Sequence, residues 1–244
     1  MANGQFVHAA RVMCGVSVPL ERRILAWLAK RIPAAIGSDH LTALGFAGML
    51  GAGACYWLAR SEPLALVGVV ICLAVNWFGD SLDGTVARAR RQERPRYGFY
   101  VDHVLDMFGA FFLLAGLALS GFMSPLVALA LLVTYLMLTT EVYLATYCLA
   151  SFRLSFFKIG PTELRIVLAV GTLVLFFNPT ASVLQGRYLL FDFGAGVGMI
   201  GMVVALLAAT VRHTVDLYRA EPLEGRGRGR DADVGRQQRQ GNLG

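Results

Sequence analysis

The chain has 244 residues, of which 56% are hydrophobic and only 16% charged, with a net charge of +6 and a mean hydropathy of +0.58. A soluble domain carries roughly a quarter charged residues. Here the apolar residues also fall in runs on the order of 20 residues, long enough to cross a bilayer, rather than in an amphipathic period. A soluble globular enzyme is excluded, and the expected fold is all-α, a polytopic membrane protein with six transmembrane helices.

Residues 1–40 form an N-terminal segment ahead of the spans. Its first 18 residues lack the compact apolar core and small-residue cleavage site of a signal peptide, so this end is expected to be retained. Pro19–Pro33 reads as an amphipathic helix: Leu20, Ile24, Trp27 and Leu28 share one face, and Arg22, Arg23, Lys30 and Arg31 can reach lipid phosphates. It is expected to lie in the membrane interface. Ser38-Asp39-His40-Leu41-Thr42 follows and reads as an N-cap, because Ser or Asp oxygens accept from free helix N–H groups.

Spans are expected at about Leu41–Ala59, Pro63–Gly79, Gly98–Leu119, Pro125–Ala150, Leu164–Phe177 and Leu189–Val211. The second should continue as a helix to about Arg90, and the fifth is short enough to begin earlier than its apolar part. Together, residues 41–211 form the six-span domain. The remainder, 212–244, is expected to be a basic, disordered tail; from Pro222 it is rich in Gly, Arg and Gln without apolar pattern. Its Arg-Gly repeats suit a membrane-side tail, and no nucleic acid is expected as a partner. Cys14, Cys55, Cys72 and Cys148 are scattered, with neither disulfide nor zinc spacing.

Charge bias fixes the orientation. Twenty of the 22 Lys and Arg lie before the first span, between the second and third, between the fourth and fifth, or from Arg212 onward. Only Arg60 and Arg187 occupy the alternate connections. Basic residues collect on the cytoplasmic side, so an even number of spans and an integral cytoplasmic-membrane location follow, with both termini on the cytoplasmic side.

Four aspartates then stand out. A carboxylate in a membrane helix costs about 2.5–3.5 kcal/mol on insertion scales, and neighbouring like charges cost more. Asp80 and Asp83 are three apart, Asp102 and Asp106 four apart, so each pair shares a helix face. The orientation places both pairs at one membrane depth on adjacent helices. Converging carboxylates make an oxygen-rich site for hard cations, Mg²⁺ or Mn²⁺. Gly84 and Gly98 leave openings, Ala87 keeps the same face small, and Arg88 is placed to bond a phosphate or pair with a carboxylate.

Asp80-x-x-Asp83-Gly84-x-x-Ala87-Arg88, then Gly98-x-x-x-Asp102-x-x-x-Asp106, resembles the signature of the CDP-alcohol phosphotransferases at all eight positions. The resemblance implies transfer of a substituted phosphoryl group from a CDP-linked donor to an alcohol, with release of CMP. It implies that Asp80, Asp83, Asp102 and Asp106 bind two metal ions and that Asp83, Gly84, Ala87, Arg88 and Gly98 surround the CDP moiety. Asp106 would be the general base, and a homodimer is a family expectation. Asp39 stands where the family often has the asparagine of an Asn-x-x-Thr element. His103 resembles the histidine of choline and ethanolamine phosphotransferases, although at one residue past Asp102 it points off the aspartate face, which suits packing.

Arg153, Lys158 and Arg165 could clamp a phosphorylated acceptor, or serve as basic anchors at the membrane boundary. Glu141, inside the fourth span, reads as either a structural hydrogen bond or a cavity lining. Gly194, Gly198, Gly201 and the glycines around Gly45–Gly53 read as helix-packing contacts. Chain size and the basic connections favour CDP-diacylglycerol as donor and a small polar alcohol as acceptor. His103 favours the alternative, a CDP-aminoalcohol donor with diacylglycerol as acceptor. A divalent-cation transporter, from a different class, would place its acids on several levels.

Overall fold

A computed structural model describes residues 18–149, 161–178, 182–183 and 188–221. Seven helices are described: α1 (Val18–Ala29), α2 (Ser38–Leu58), α3 (Ala65–Ala89), α4 (Pro95–Ser120), α5 (Pro125–Leu149), α6 (Pro161–Phe177) and α7 (Leu190–Ala220). Just before α7, a two-residue antiparallel pair joins β1 (Ser182–Val183) to β2 (Tyr188–Leu189). Five helices, α2 to α5 and α7, are long and apolar enough to cross a membrane. The exception, α6, has 17 residues; at 1.5 Å per residue it spans about 25 Å, slightly less than a hydrocarbon core. It begins three residues before Leu164, so the extension is at its N-terminal end. The protein is an all-α polytopic membrane protein.

Local chemistry sets the helix ends. Pro95 opens α4 at a position where its missing N–H is no loss. Gly121, with φ of 85°, closes it in the left-handed conformation that glycine adopts without strain. At the end of α3 the same region is occupied by a non-glycine residue, Arg91, with φ of 55°.

Contacts group Met1–Leu206 in one unit and Leu207–Gly244 in another. In the first unit α2 is the central element, packed along α3 and α4, while α3 also meets α6 and α1, and α5 lies on α4. Glycine permits these close approaches. A Cβ on Gly48 would lie 2.8 Å from the Asn76 backbone nitrogen, and one on Gly79 2.5 Å from the Leu41 carbonyl. Gly53 and Gly116 sit so tightly against α4 and α2 backbone that any side chain would overlap it. The packing reading therefore holds for Gly45, Gly48 and Gly53. It fails for Gly194, Gly198 and Gly201, where an added Cβ would meet nothing within 4 Å, because that face of α7 is turned away from the other described helices of the first unit.

One core cluster is built on Tyr56, Val69, Leu73, Leu113 and Leu117, crossing α2, α3 and α4. Within it the Tyr56 and Thr172 hydroxyls bond at 2.6 Å, tying α2 to α6. The second cluster joins Leu25 and Ala29 of α1 to Leu82 and Val86 of α3, with Leu28 and Ile32 alongside. The expected single apolar face of α1 is thereby split. Leu25, Leu28 and Ala29 cover α3, whereas Ile24 and Trp27 point outward at 41% and 55% exposure, with the Arg31 guanidinium 3.5 Å above the Trp27 ring. Leu20 and Arg22 lie among residues whose side chains are not described. The reason for the split is physical: Leu82 and Val86, on the motif-bearing half of α3, need an apolar cover, and α1 supplies it.

Candidate metal and substrate site

The hairpin of α3 and α4, with the start of α2, brings the motif together. The C-terminal half of α3 carries Asp80 and Asp83, and the first turns of α4 carry Asp102 and Asp106. Asp80, Asp102 and Asp106 each offer a carboxylate oxygen within 4.8 Å of the others. Asp106 is exposed and the other two half-buried. A cleft opens on them, lined also by Thr42, Gly45, Phe46, Met49, Asn76 and Leu105. Tyr135 and Tyr143 of α5 lie within electrostatic reach of Asp106 and Asp102.

Asp83 is outside that group of three. Thr42 Oγ1 donates to its Oδ2 at 2.7 Å, and the Gly84 backbone N–H donates to its Oδ1 at 2.5 Å. Ser38 Oγ donates to the Asp83 carbonyl at 3.1 Å. Neither Ser38 nor Asp39 is therefore the cap of α2. Gly37 is the N-cap, with no side-chain cap bond; its N–H donates to His40 Nδ1 at 3.1 Å. Ser38 and Thr42 hold the second motif aspartate, and Asp39 forms an exposed ion pair with Arg94. The reason is position: Ser38 already lies in the first helical turn, one residue too late to cap it.

The remaining expected residues are placed as follows. Arg88 is exposed and its guanidinium folds back over Gly84, with Nη1 3.3 Å from where a Cβ would be. Gly98 faces open space and Ala87 is half-buried. Arg165 reaches the acids: its Nη2 donates to Asp80 Oδ2 at 2.5 Å and its Nε to Asn76 Oδ1 at 2.7 Å. Arg153 and Lys158 lie outside the described residues, as does the tail from Pro222. His103 stacks on Phe99 with centroids 4.1 Å apart and lies edge-on to Tyr143; its Nδ1 is 2.6 Å from the Phe99 carbonyl and 3.8 Å from Asp102 Oδ2. Glu141 is half-buried on α5.

Two contributors escaped the sequence reading. Asn76 lies one turn before Asp80 and is 5% exposed, its Nδ2 donating to the Gly45 carbonyl at 2.9 Å; a lone amide in an apolar run was its signal. Arg90 donates to the carbonyls of Ile36, Ile32 and Pro33 at 2.7, 2.9 and 3.0 Å, pinning the α1–α2 connection to the end of α3. In sequence it is one basic residue among five.

A family model described as CDP-alcohol phosphatidyltransferase matches residues 39–211. The chain belongs to this family. No curated protein matches it. Membership makes the chain a transferase of lipid biosynthesis, acting with a CDP-linked donor, an alcohol acceptor and membrane lipids. The family uses divalent metal, and the three carboxylates fit such an ion: they are hard oxygen donors from two helices, close enough to share one cation.

Proposed function

We propose that this family member transfers a phosphatidyl group from CDP-diacylglycerol to a small polar alcohol and releases CMP. The observation that carries the reading is the cleft in which Asp80, Asp102 and Asp106 converge beside Phe46, Met49 and Leu105. Carboxylates that can hold a divalent cation suit a diphosphate, and the apolar side chains beside them suit a lipid-linked donor. Basic residues concentrated on the connections suit a polar acceptor arriving from water.

Asp80, Asp102 and Asp106 would hold Mg²⁺ or Mn²⁺, and Asp83, one turn along α3 from Asp80, would complete the set for a second ion. Bound divalent cations supply neutralisation of the diphosphate and of the leaving CMP oxygen. Arg88, folded over Gly84, turns to the donor phosphates, and Gly84, Ala87 and Gly98 leave room for the nucleotide. Asp106 takes the hydroxyl proton of the acceptor. The acceptor oxygen bonds to the phosphorus next to the lipid, the bond from that phosphorus to the CMP oxygen breaks, and its electron pair leaves with CMP. Arg153 and Lys158 meet a phosphorylated acceptor, and the site faces the cytoplasm.

The test incubates purified protein with labelled CDP-diacylglycerol, Mn²⁺ and a panel of alcohols, with mass spectrometry of the lipid formed. CMP release with a new phosphatidyl-alcohol is the expected result. Turnover of CDP-choline or CDP-ethanolamine with diacylglycerol instead would overturn the donor assignment.

A further inference from the structure

We infer that Arg165 is a positioning residue for Asp80, held in place by Asn76, and not a clamp on the acceptor; this rests on the reading of Asp80 as a metal ligand. A continuous chain of donors runs through three helices. The Gly45 carbonyl of α2 accepts from Asn76 Nδ2 on α3, Asn76 Oδ1 accepts from Arg165 Nε on α6, and Arg165 Nη2 donates to Asp80 Oδ2 on α3. Each link is 2.9 Å or shorter.

Asn76 has little freedom to move. It is buried, and its backbone is pressed against α2 at Gly48, where no Cβ would fit. Both ends of its amide are used. The guanidinium it holds is itself largely covered, with 15% side-chain exposure against 22% for Asp80. A guanidinium has two bidentate edges, Nε with Nη2 and Nη1 with Nη2. Here the edge formed by Nε and Nη2 is committed to two protein acceptors. What this achieves is a fixed Asp80 carboxylate: one oxygen is tied down, so the orientation of the group relative to Asp102 and Asp106 is set before any cation binds. Outer-shell partners of this kind typically change metal affinity by about 10–100-fold when removed.

Charge and orientation predict opposite signs, which makes the inference testable. A guanidinium repels an incoming cation, so a mere electrostatic neighbour would, on removal, tighten metal binding. A positioning residue would, on removal, weaken it.

The experiment titrates Mn²⁺ alone into the purified full chain in detergent, reading free Mn²⁺ by electron paramagnetic resonance. Wild type, Arg165→Gln, Arg165→Lys and Asn76→Leu are compared, and thermal melting checks that each is folded. The expected result is a Kd for Mn²⁺ raised about 10–100-fold in Arg165→Gln, with the same direction in Asn76→Leu. Arg165→Lys keeps the charge but not the two-point hold, so it also binds more weakly; it carries the test if Arg165→Gln does not fold. At saturating Mn²⁺ the acceptor KM stays within about twofold of wild type. Unchanged or tighter Mn²⁺ binding in the arginine variants overturns the inference, as does a large rise in acceptor KM with Mn²⁺ affinity intact. A wild-type chain that binds no Mn²⁺ sinks the metal site itself and this inference with it. Wild-type binding with indifferent variants sinks the inference alone.

Discussion

Asp106 differs from the other motif carboxylates of the cleft in being exposed. Asp106→Asn keeps the shape of the side chain and removes its ability to take a proton. General-base removal is expected to slow CMP release by at least about 10²–10⁴-fold, while membrane insertion and melting temperature stay unchanged. Near-normal turnover would remove Asp106 from the mechanism. Thr42 offers a subtler probe, because its hydroxyl donates to Asp83 Oδ2. A hydrogen bond to a charged group is worth about 1.5–3 kcal/mol, so Thr42→Val should lower kcat/KM by roughly 10–100-fold, and Thr42→Ser should restore most of it. The acidic set was legible because carboxylates three and four apart must share a helix face. The partners of Asp80 and Asp83 were not: Arg165 and Thr42 lie 85 and 41 residues away in the chain, and no local spacing announces such a meeting.

Helix positions were readable to within a few residues from apolar run length, except at the C-terminal end, where α7 continues past Val211 to Ala220, into the stretch expected to be a disordered tail. Which face of a helix meets which neighbour was less so. The apolar residues of α1 could have shared one lipid-facing stripe, but Leu25 and Ala29 serve Leu82 and Val86 instead. Glycine shows the same limit. Gly53 and Gly98 look alike in sequence, yet Gly53 touches the α4 backbone and Gly98 faces open space. Gly53→Ala forces a methyl onto the Phe112 carbonyl, and overpacking of this kind costs about 1–3 kcal/mol. A clearly lower melting temperature in detergent is the expected result. Gly98→Ala has room for its methyl and should melt like wild type. If the nucleotide approaches α4 there, its donor KM rises while acceptor KM does not. An unchanged donor KM would remove Gly98 from the nucleotide site.

Across the whole molecule, the start of α2, the end of α3 and the start of α4 meet at one end of the bundle, as the Asp39–Arg94, Ser38–Asp83 and Thr42–Asp83 contacts require. Arg88, Arg90, Arg91, Arg94 and Arg96 crowd that same end, whereas Arg60 lies in the α2–α3 connection at the other. The positive-inside rule therefore predicts the cytoplasmic side for the motif-bearing end, since acids and basic residues are fixed to the same turn of chain. CMP is water-soluble, so the side on which it emerges reports the side of the site. Inverted membrane vesicles, with the cytoplasmic face outward, should release CMP to the medium, and right-side-out vesicles should retain it until detergent is added. Added chelator should stop release only where the site is reachable, in the inverted vesicles, and excess Mg²⁺ or Mn²⁺ should restore it. Release from right-side-out vesicles alone would reverse the orientation. Release that chelator never touches would separate the acidic cluster from the chemistry.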